Sequence, residues 1–407
     1  MKAYERLIRY ARIHTTSDEN SDTTPSTERQ FDLARTLADE MKAMGFEAVS
    51  VDEHAYVYGA VPASEGCGEW PCIGLIAHLD TAPDFSGEGV KPQLIPDYDG
   101  GELPIGNRIL SPKQFPDLKK LAGHTLITTD GNTLLGADDK AGIAEILTAC
   151  EEIMAEKLPH GRIAVCFAPD EEIGHGAALL DLGKFGADYA YTVDGGDPEE
   201  INWETFNAAG AEVDCRGVNV HPGEAKGIMR NASLVALEFA SILPADERPE
   251  KTEDREGLFH LTQMQGDVEK AQLRYIIRDH DAGRFEARKQ LMAESARALN
   301  EKYGDGTVSL RLHDQYRNMA EILAGHMEIV RRAEDAVRRA GLQPHCVPVR
   351  GGTDGAQLSF RGLPCPNLGT GGAAFHGPYE HISIQNMEIC VRILKYLVTQ
   401  EPGAVRQ

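Results

Sequence analysis

From residue 30 the apolar positions Phe31, Ala34, Leu37, Met41 and Met44 recur every three or four residues and stop at Gly45, the period of a helix that buries one stripe. Thr27, with Gln30 three residues on, has the spacing of a capping box at the start of that helix. A different pattern follows. Residues 73–77 are nearly all apolar and end in His78-Leu79-Asp80, as expected of a strand buried on both faces that delivers polar groups at its C-terminal edge. After a Gly/Pro-rich excursion over 84–116, helical spacing returns at Ile143, Ile146, Leu147, Cys150, Ile153 and Met154, with Asp138 and Asp139 at the mouth of the helix. Two more apolar strands, 163–167 and 189–193, run into Pro169-Asp170-Glu171-Glu172 and into Asp194-Gly195-Gly196. Each of these strands ends in a carboxylate or a histidine, and α/β sheets collect their ligands at that edge.

The alternation of helix and strand up to about residue 205 predicts an α/β fold with a mostly parallel sheet and helices on both faces. The next stretch reads strand 211–216, helix 232–243, strands 259–265 and 272–278, helix 285–302 and strand 308–313, the β-α-β-β-α-β order of a ferredoxin-like α+β unit. Beyond it, Ile329, Val330, Ala333, Ala336, Val337 and Ala340 mark a helix, 346–349 a short strand and 384–398 a closing helix. The economical organisation is one discontinuous domain, 1–206 and 319–407, interrupted by a smaller inserted domain over 207–318.

The length of 407 residues agrees with two domains. The 64 acidic against 41 basic residues, a formal charge of −23, oppose binding to nucleic acid or to an anionic membrane. Eight cysteines are scattered without a CxxC pair, several inside apolar runs, which reads as buried thiols in a reducing compartment. The first twelve residues have amphipathic spacing without an apolar signal core, and no stretch reaches the roughly 18 apolar residues of a membrane span. A cytoplasmic enzyme is expected; the oligomeric state stays open, a homodimer included.

His78 and Asp80, two positions apart, share a strand face, and a carboxylate so placed can orient a metal-bound histidine. Alone, the pair fits a surface strand end equally well. Asp138-Asp139 suits the N-terminus of a helix on dipole grounds, and the residues leave open which of the two has a further role. Asp170-Glu171-Glu172 crowds three carboxylates at one strand end, a repulsion that a divalent cation relieves. Asp194 precedes two glycines, and His376 lies in Gly371-Gly372-Ala373-Ala374-Phe375-His376-Gly377, where glycines allow close approach of backbone. Any one of these can be a turn or a cap. Together, two histidines with bridging and terminal carboxylates make a set for two divalent ions, with Glu171 left over as a general base. Zinc fits such ligands, and so do cobalt and manganese. Arg278 and Arg350 can grip a carboxylate bidentately or serve in structural salt bridges.

The motifs His78-Leu79-Asp80-Thr81, Gly136-Ala137-Asp138-Asp139-Lys140-Ala141-Gly142, Pro169-Asp170-Glu171-Glu172, Thr192-Val193-Asp194-Gly195-Gly196, Asn219-Val220-His221-Pro222-Gly223, Tyr275-Ile276-Ile277-Arg278-Asp279, Arg350-Gly351-Gly352-Thr353-Asp354-Gly355 and His376-Gly377 resemble, in order and over nearly the whole chain, the peptidase T group of the di-zinc exopeptidase family that includes carboxypeptidase G. The resemblance implies a tripeptide aminopeptidase, with small peptides as substrates and a role in peptide turnover. Its catalytic domain would span 1–206 and 319–407, and 207–318 would act as a lid. It assigns His78 and Asp194 to one zinc, Glu172 and His376 to the other, and Asp138 to the bridge, with a cis peptide between Asp138 and Asp139. Asp80 would orient His78, Glu171 would take a proton from a zinc-bridging water that attacks the peptide, and His221 would stabilise the oxyanion when the lid closes. Two stretches depart from the pattern, Gly377-Pro378-Tyr379-Glu380-His381 and Gly369-Thr370-Gly371-Gly372, and they bear on peptide length rather than on the ligands. Dipeptidases and N-acyl amino acid deacylases would share the ligand set, whereas a non-catalytic binding protein on this scaffold would be expected to have lost one of these residues.

Overall fold

The computed structural model describes residues 1–403. They divide into two compact units, Met1–Trp203 with Glu321–Val347 and the described residues from Thr353 on, and Glu204–Ala320 with Pro348–Gly352. The piece 348–352, which the sequence pattern leaves in the 319–407 segment, groups with the second unit: the Val349 amide donates to the Glu204 carbonyl at 2.9 Å and the Phe206 amide to the Gly351 carbonyl at 3.3 Å.

The first unit is built on an eight-stranded mixed sheet. Across it the strands run Glu47–Val51, Val57–Val61, Ile163–Ala168, Ile73–His78, Tyr189–Gly195, Asn367–Gly369, Glu200–Asn202 and His345–Cys346. Its centre is parallel: Ile73–His78 lies parallel to both neighbours, and Asn367–Gly369 parallel to Tyr189–Gly195. Strand Val57–Val61 joins antiparallel on either side. Helices cover both faces. Leu75, Ala77, Val165 and Phe167 point into one core with helices Ala3–Ala11, Ala137–Glu156, Met327–Arg339 and Ile384–Thr399, while Ile76, Ala164, Cys166 and Ala190 meet Phe185 and Leu358 on the other side. This two-sided burial is why these strands read as unbroken apolar runs.

The Gly/Pro-rich excursion after residue 84 is not wholly irregular. Gln93–Ile95 pairs with Leu126–Thr128, which pairs with His381–Ser383 and through it Gly372–Ala373, forming a separate four-stranded sheet. The capping box at Thr27 does not form: the helix spans Gln30–Met44 with Arg29 at its N-cap and no side-chain cap. Thr27 donates its hydroxyl to the Thr16 carbonyl, and Gln30 is taken by a residue far along the chain, Asp170.

The second unit is a four-stranded antiparallel sheet in the order Leu258–Gly266, Lys270–Asp279, Asn207–Arg216, Val308–Tyr316. Helices Ala232–Ile242 and Ala282–Tyr303 pack on it around a core of their own that includes Val213, Phe239, Leu273, Ile277, Met292 and Leu299. In chain order this is strand two, three, one, four, the ferredoxin-like arrangement. Its two chain ends are knotted together: the Thr205 amide donates to Asn318 Oδ1 at 2.9 Å, the Asn318 amide to Asn207 Oδ1 at 2.9 Å and the Met319 amide to Thr205 Oγ1 at 3.1 Å.

Candidate metal centre

Three central strands of the first unit deliver their last residues to one edge. His78 ends strand Ile73–His78, Asp194 is the last residue but one of strand Tyr189–Gly195, and strand Ile163–Ala168 leads into a short 3-10 turn, Glu171–Ile173. Asp138 stands at the start of helix Ala137–Glu156 with non-helical dihedrals, and the Asp138–Asp139 peptide is cis, as the family resemblance implies. His376 comes from a loop between two short strands, Gly372–Ala373 and His381–Ser383.

Asp138 Oδ1 lies 3.0 Å from His78 Nε2, and its Oδ2 lies 3.4 Å from His376 Nε2. One carboxylate thus offers an oxygen to each histidine. Asp194 Oδ1 is 3.5 Å from His78 Nε2, and Glu172 Oε2 is 2.9 Å from His376 Nε2. The arrangement is two half-sites, His78 with Asp194 and His376 with Glu172, sharing Asp138. Asp139 is engaged otherwise, because its two oxygens accept the backbone N–H groups of His78 and Gly142, each at 3.1 Å. That geometry separates two adjacent aspartates which spacing alone left equivalent.

His78 Nδ1 faces the carbonyl oxygen of Asp80 at 3.0 Å. A carbonyl can only accept, so Nδ1 carries the hydrogen, and in the neutral ring Nε2 keeps its lone pair toward Asp138 and Asp194. The Asp80 carboxylate accepts the amides of Glu171 at 3.0 Å and Glu172 at 3.2 Å. Glu171 therefore stands directly beside Glu172, its backbone pinned to the same aspartate that contacts His78.

The electrostatics are those of crowded anions. Burial, then the Asp138 charge, pushes Glu172 up to about 7, and burial pushes Asp194 up to about 6. Burial, with Asp194 and Asp354 nearby, holds the Glu171 carboxyl well above its usual range. His376, hydrogen-bonded to Asp138 and Glu172, is raised to about 11. Glu172 Oε1 is buried with no hydrogen-bond partner among the described residues. An orphaned carboxylate oxygen beside imidazole nitrogens and a shared carboxylate fits divalent cations, which would ionise these groups and satisfy the oxygen. His78, Asp138 and Glu172 bring ligand atoms within 4.8 Å of one another, as do His78, Asp139 and Asp194.

Several residues around the centre leave no mark in the spacing. Buried Asp170 accepts from the Ser26 amide and hydroxyl at 2.7 and 2.6 Å and from Gln30 Nε2 at 2.6 Å, so the loop that carries Glu171 is tied to the start of the helix Gln30–Met44. Asp354, quoted above only within its motif, is buried with an Oδ1 that has no hydrogen-bond partner among the described residues, and burial raises it to about 7. Glu380 is buried and binds backbone N–H groups on the approach to Asp138. Its only signal was a carboxylate four positions after His376.

The three substrate candidates belong to the second unit. His221 is exposed, with Nδ1 accepting from the Gly223 amide at 3.1 Å. Arg278 is half-buried over the Tyr316 ring and donates to the Ala209 and Ile277 carbonyls at 3.2 and 2.9 Å. Arg350 donates to the Asp254 and Glu256 carbonyls and to Thr252 Oγ1 at 2.9, 3.0 and 2.7 Å, the structural engagement that was the alternative for this residue.

The profile of peptidase family M20/M25/M40 matches residues 126–400. A peptidase T of Geobacillus kaustophilus is 52% identical over 399 residues, covering 96% of this chain and 97% of that protein. A peptidase T of Caldanaerobacter subterraneus subsp. tengcongensis is 51% identical over 401 residues, covering 98% of both. Among solved structures, an aminopeptidase from Bacillus cereus superposes with a TM-score of 0.78 at 21% identity over 98% of this chain and 97% of that one, and an aminoacylhistidine dipeptidase from Vibrio alginolyticus with 0.65 at 12% identity over 97% and 96%. These agree with the α/β fold carrying a separate sheet-rich domain, and the chain belongs to peptidase family M20/M25/M40.

Proposed function

We propose that the chain is a tripeptide aminopeptidase that uses two divalent metal ions, zinc in the first instance, to release the N-terminal residue of small peptides. The observation that carries this reading is Asp138 standing between His78 and His376, each of which has a second carboxylate, Asp194 and Glu172, beside it. The identity near 50% with peptidase T proteins over almost the whole chain supports the substrate class.

In this reading His78 and Asp194 would hold one ion, His376 and Glu172 the other, and Asp138 would serve both. When bound, the ions would polarise the scissile carbonyl and lower the pKa of the attacking water. Glu171, held protonated by burial and its acidic neighbours in the metal-free chain, would be ionised once cations offset those charges, and would then take the proton of that water and deliver it to the leaving amine. Asp80 keeps the proton of His78 on Nδ1 and fixes the backbone of Glu171. His221 is assigned to the developing oxyanion and Arg278 to the peptide's terminal carboxylate; Arg350, with its donors spent on the 252–256 loop, is assigned support of that loop. No helix among the described residues is long and apolar enough to cross a membrane, and all eight cysteines are free, which supports a cytoplasmic site of action.

The test is hydrolysis of a matched dipeptide, tripeptide, tetrapeptide and N-acetylated tripeptide by the wild type and by Glu171→Gln, with products read by mass and metal content measured on the same samples. Cleavage of the free-amine tripeptide, lost in Glu171→Gln with metal retained, is the expected result. Preference for the dipeptide or the acetylated substrate would move the activity to a dipeptidase or a deacylase. No hydrolysis by metal-loaded wild type would leave a binding protein.

A further inference from the structure

Glu380 is 1% exposed, and its carboxylate takes its hydrogen bonds from backbone, with the Lys140 ammonium near enough to feel its charge. Oε2 accepts the amides of Leu135 at 2.7 Å and Gly136 at 2.9 Å, and Oε1 accepts the amide of Asp138 at 3.0 Å. Three backbone amides where the chain enters the helix Ala137–Glu156, those of Leu135, Gly136 and Asp138, thus converge on one side chain. The last of the three donors belongs to the residue whose carboxylate lies between the two histidines. Gly136 is part of the same turn, in the left-handed region at φ 76°, so the turn's shape depends on both a glycine and an external acceptor.

The other end of this brace is equally fixed. Glu380 is four residues after His376 and directly precedes strand His381–Ser383, where Ile382 pairs with Ile127. The adjacent His381 ring is buried and donates from Nδ1 to the Tyr379 carbonyl at 2.8 Å. One loop therefore carries His376, a member of one half-site, and the brace of Asp138, the member of both.

We propose that Glu380 is a positioning residue for the metal centre: by holding the Asp138 amide it sets the shared carboxylate between His78 and His376, and links that placement to the loop bearing His376. The inference rests on the metal-dependent reading above. Replacement by glutamine separates positioning from burial. The amide keeps nearly the same shape, and its single oxygen can still serve Leu135 and Gly136. Its NH2 group then meets the Asp138 N–H donor to donor, so the contact nearest the centre is the one that is lost.

The experiment is calorimetric titration of zinc into metal-free wild type, Glu380→Gln, Glu380→Asp and, as a control, Glu145→Met, a buried carboxyl elsewhere in the helix Ala137–Glu156, with circular dichroism on each. Glu380→Gln is expected to fold and to bind at least one ion about 10–100-fold more weakly, as loss of an outer-shell partner does, and to lower kcat on a tripeptide with KM nearly unchanged. Glu145→Met is expected to match wild type. Glu380→Asp keeps the charge on a shorter arm and should fall between them, and it decides the matter if Glu380→Gln does not fold. Wild-type zinc affinity and kcat in a folded Glu380 variant overturn the inference, and so does failure of both variants to fold, which would make Glu380 a residue of stability. Wild type that binds no zinc, cobalt or manganese would instead remove the metal reading itself.

Discussion

Asp80 Oδ1 stands 3.3 Å from His78 Nδ1, while the same carboxylate accepts the amides of Glu171 and Glu172 at 3.0 and 3.2 Å. A histidine on one strand and two glutamates after the next strand are thereby held by one side chain. In Asp80→Asn one of the two amides would face an NH2 group. The expected result is a fall of about 10–100-fold in kcat/KM together with weaker metal retention on dialysis, by the usual effect of an outer-shell change. An Asp80→Asn protein with wild-type turnover and metal content would show that backbone alone places these residues.

Removing metal should destabilise the fold as well as stop the reaction. Burial and the Asp138 charge push Glu172 and Asp194 up to about 7 and about 6, and an ion that binds only the native state adds stability by mass action. A chelator is expected to lower Tm, with zinc restoring it. An unchanged Tm across a metal titration that changes activity would contradict this.

Glu145 is fully buried in the helix Ala137–Glu156, neither of its oxygens has a hydrogen-bond partner among the described residues, and burial raises it well above its ordinary 4.5. Well below pH 4.5 the group is protonated in folded and unfolded chains alike. Above that, the unfolded chain ionises while the folded one keeps its proton, so its contribution to stability falls with rising pH by up to about 1.4 kcal/mol per unit. Glu145→Met removes that slope, and its advantage over wild type in urea unfolding should widen from pH 5 to pH 8. Parallel pH curves would mean that the carboxyl finds a partner in solution.

Gly142 marks where the helix presses on the sheet. A Cβ there would lie 2.0 Å from the Val193 carbonyl oxygen and 2.5 Å from Asp139 Oδ1. Gly142→Ala must push the helix off strand Tyr189–Gly195 and displace Asp139, with an expected loss of about 1–3 kcal/mol and reduced metal binding. Wild-type stability in urea would show that the helix can shift freely.

The strand ends that carry His78, Glu171, Glu172 and Asp194 were legible because a strand buried on both faces leaves an unbroken apolar run, and the polar residue that breaks the run lies at the edge. The inserted unit was legible for the complementary reason, alternating and helical periods long enough to count. Strands such as Gln93–Ile95, Leu126–Thr128 and His381–Ser383 are three residues long, too short for any period to show. Thr27 and Gln30 misled because a local pattern competes with distant partners: Gln30 is drawn to Asp170, 140 positions away. Glu380 was hidden because its partners are backbone amides, which every residue but proline possesses.

The knot of Thr205, Asn207, Asn318 and Met319 closes the inserted unit at its base. A polypeptide loop whose two ends are already joined, and which encloses its own core, is a cassette. Its excision would leave a gap that a few residues can span, and its replacement would disturb no ligand of the metal centre. The five residues proposed as metal ligands all belong to the other unit, so the module can be exchanged without replacing any of them.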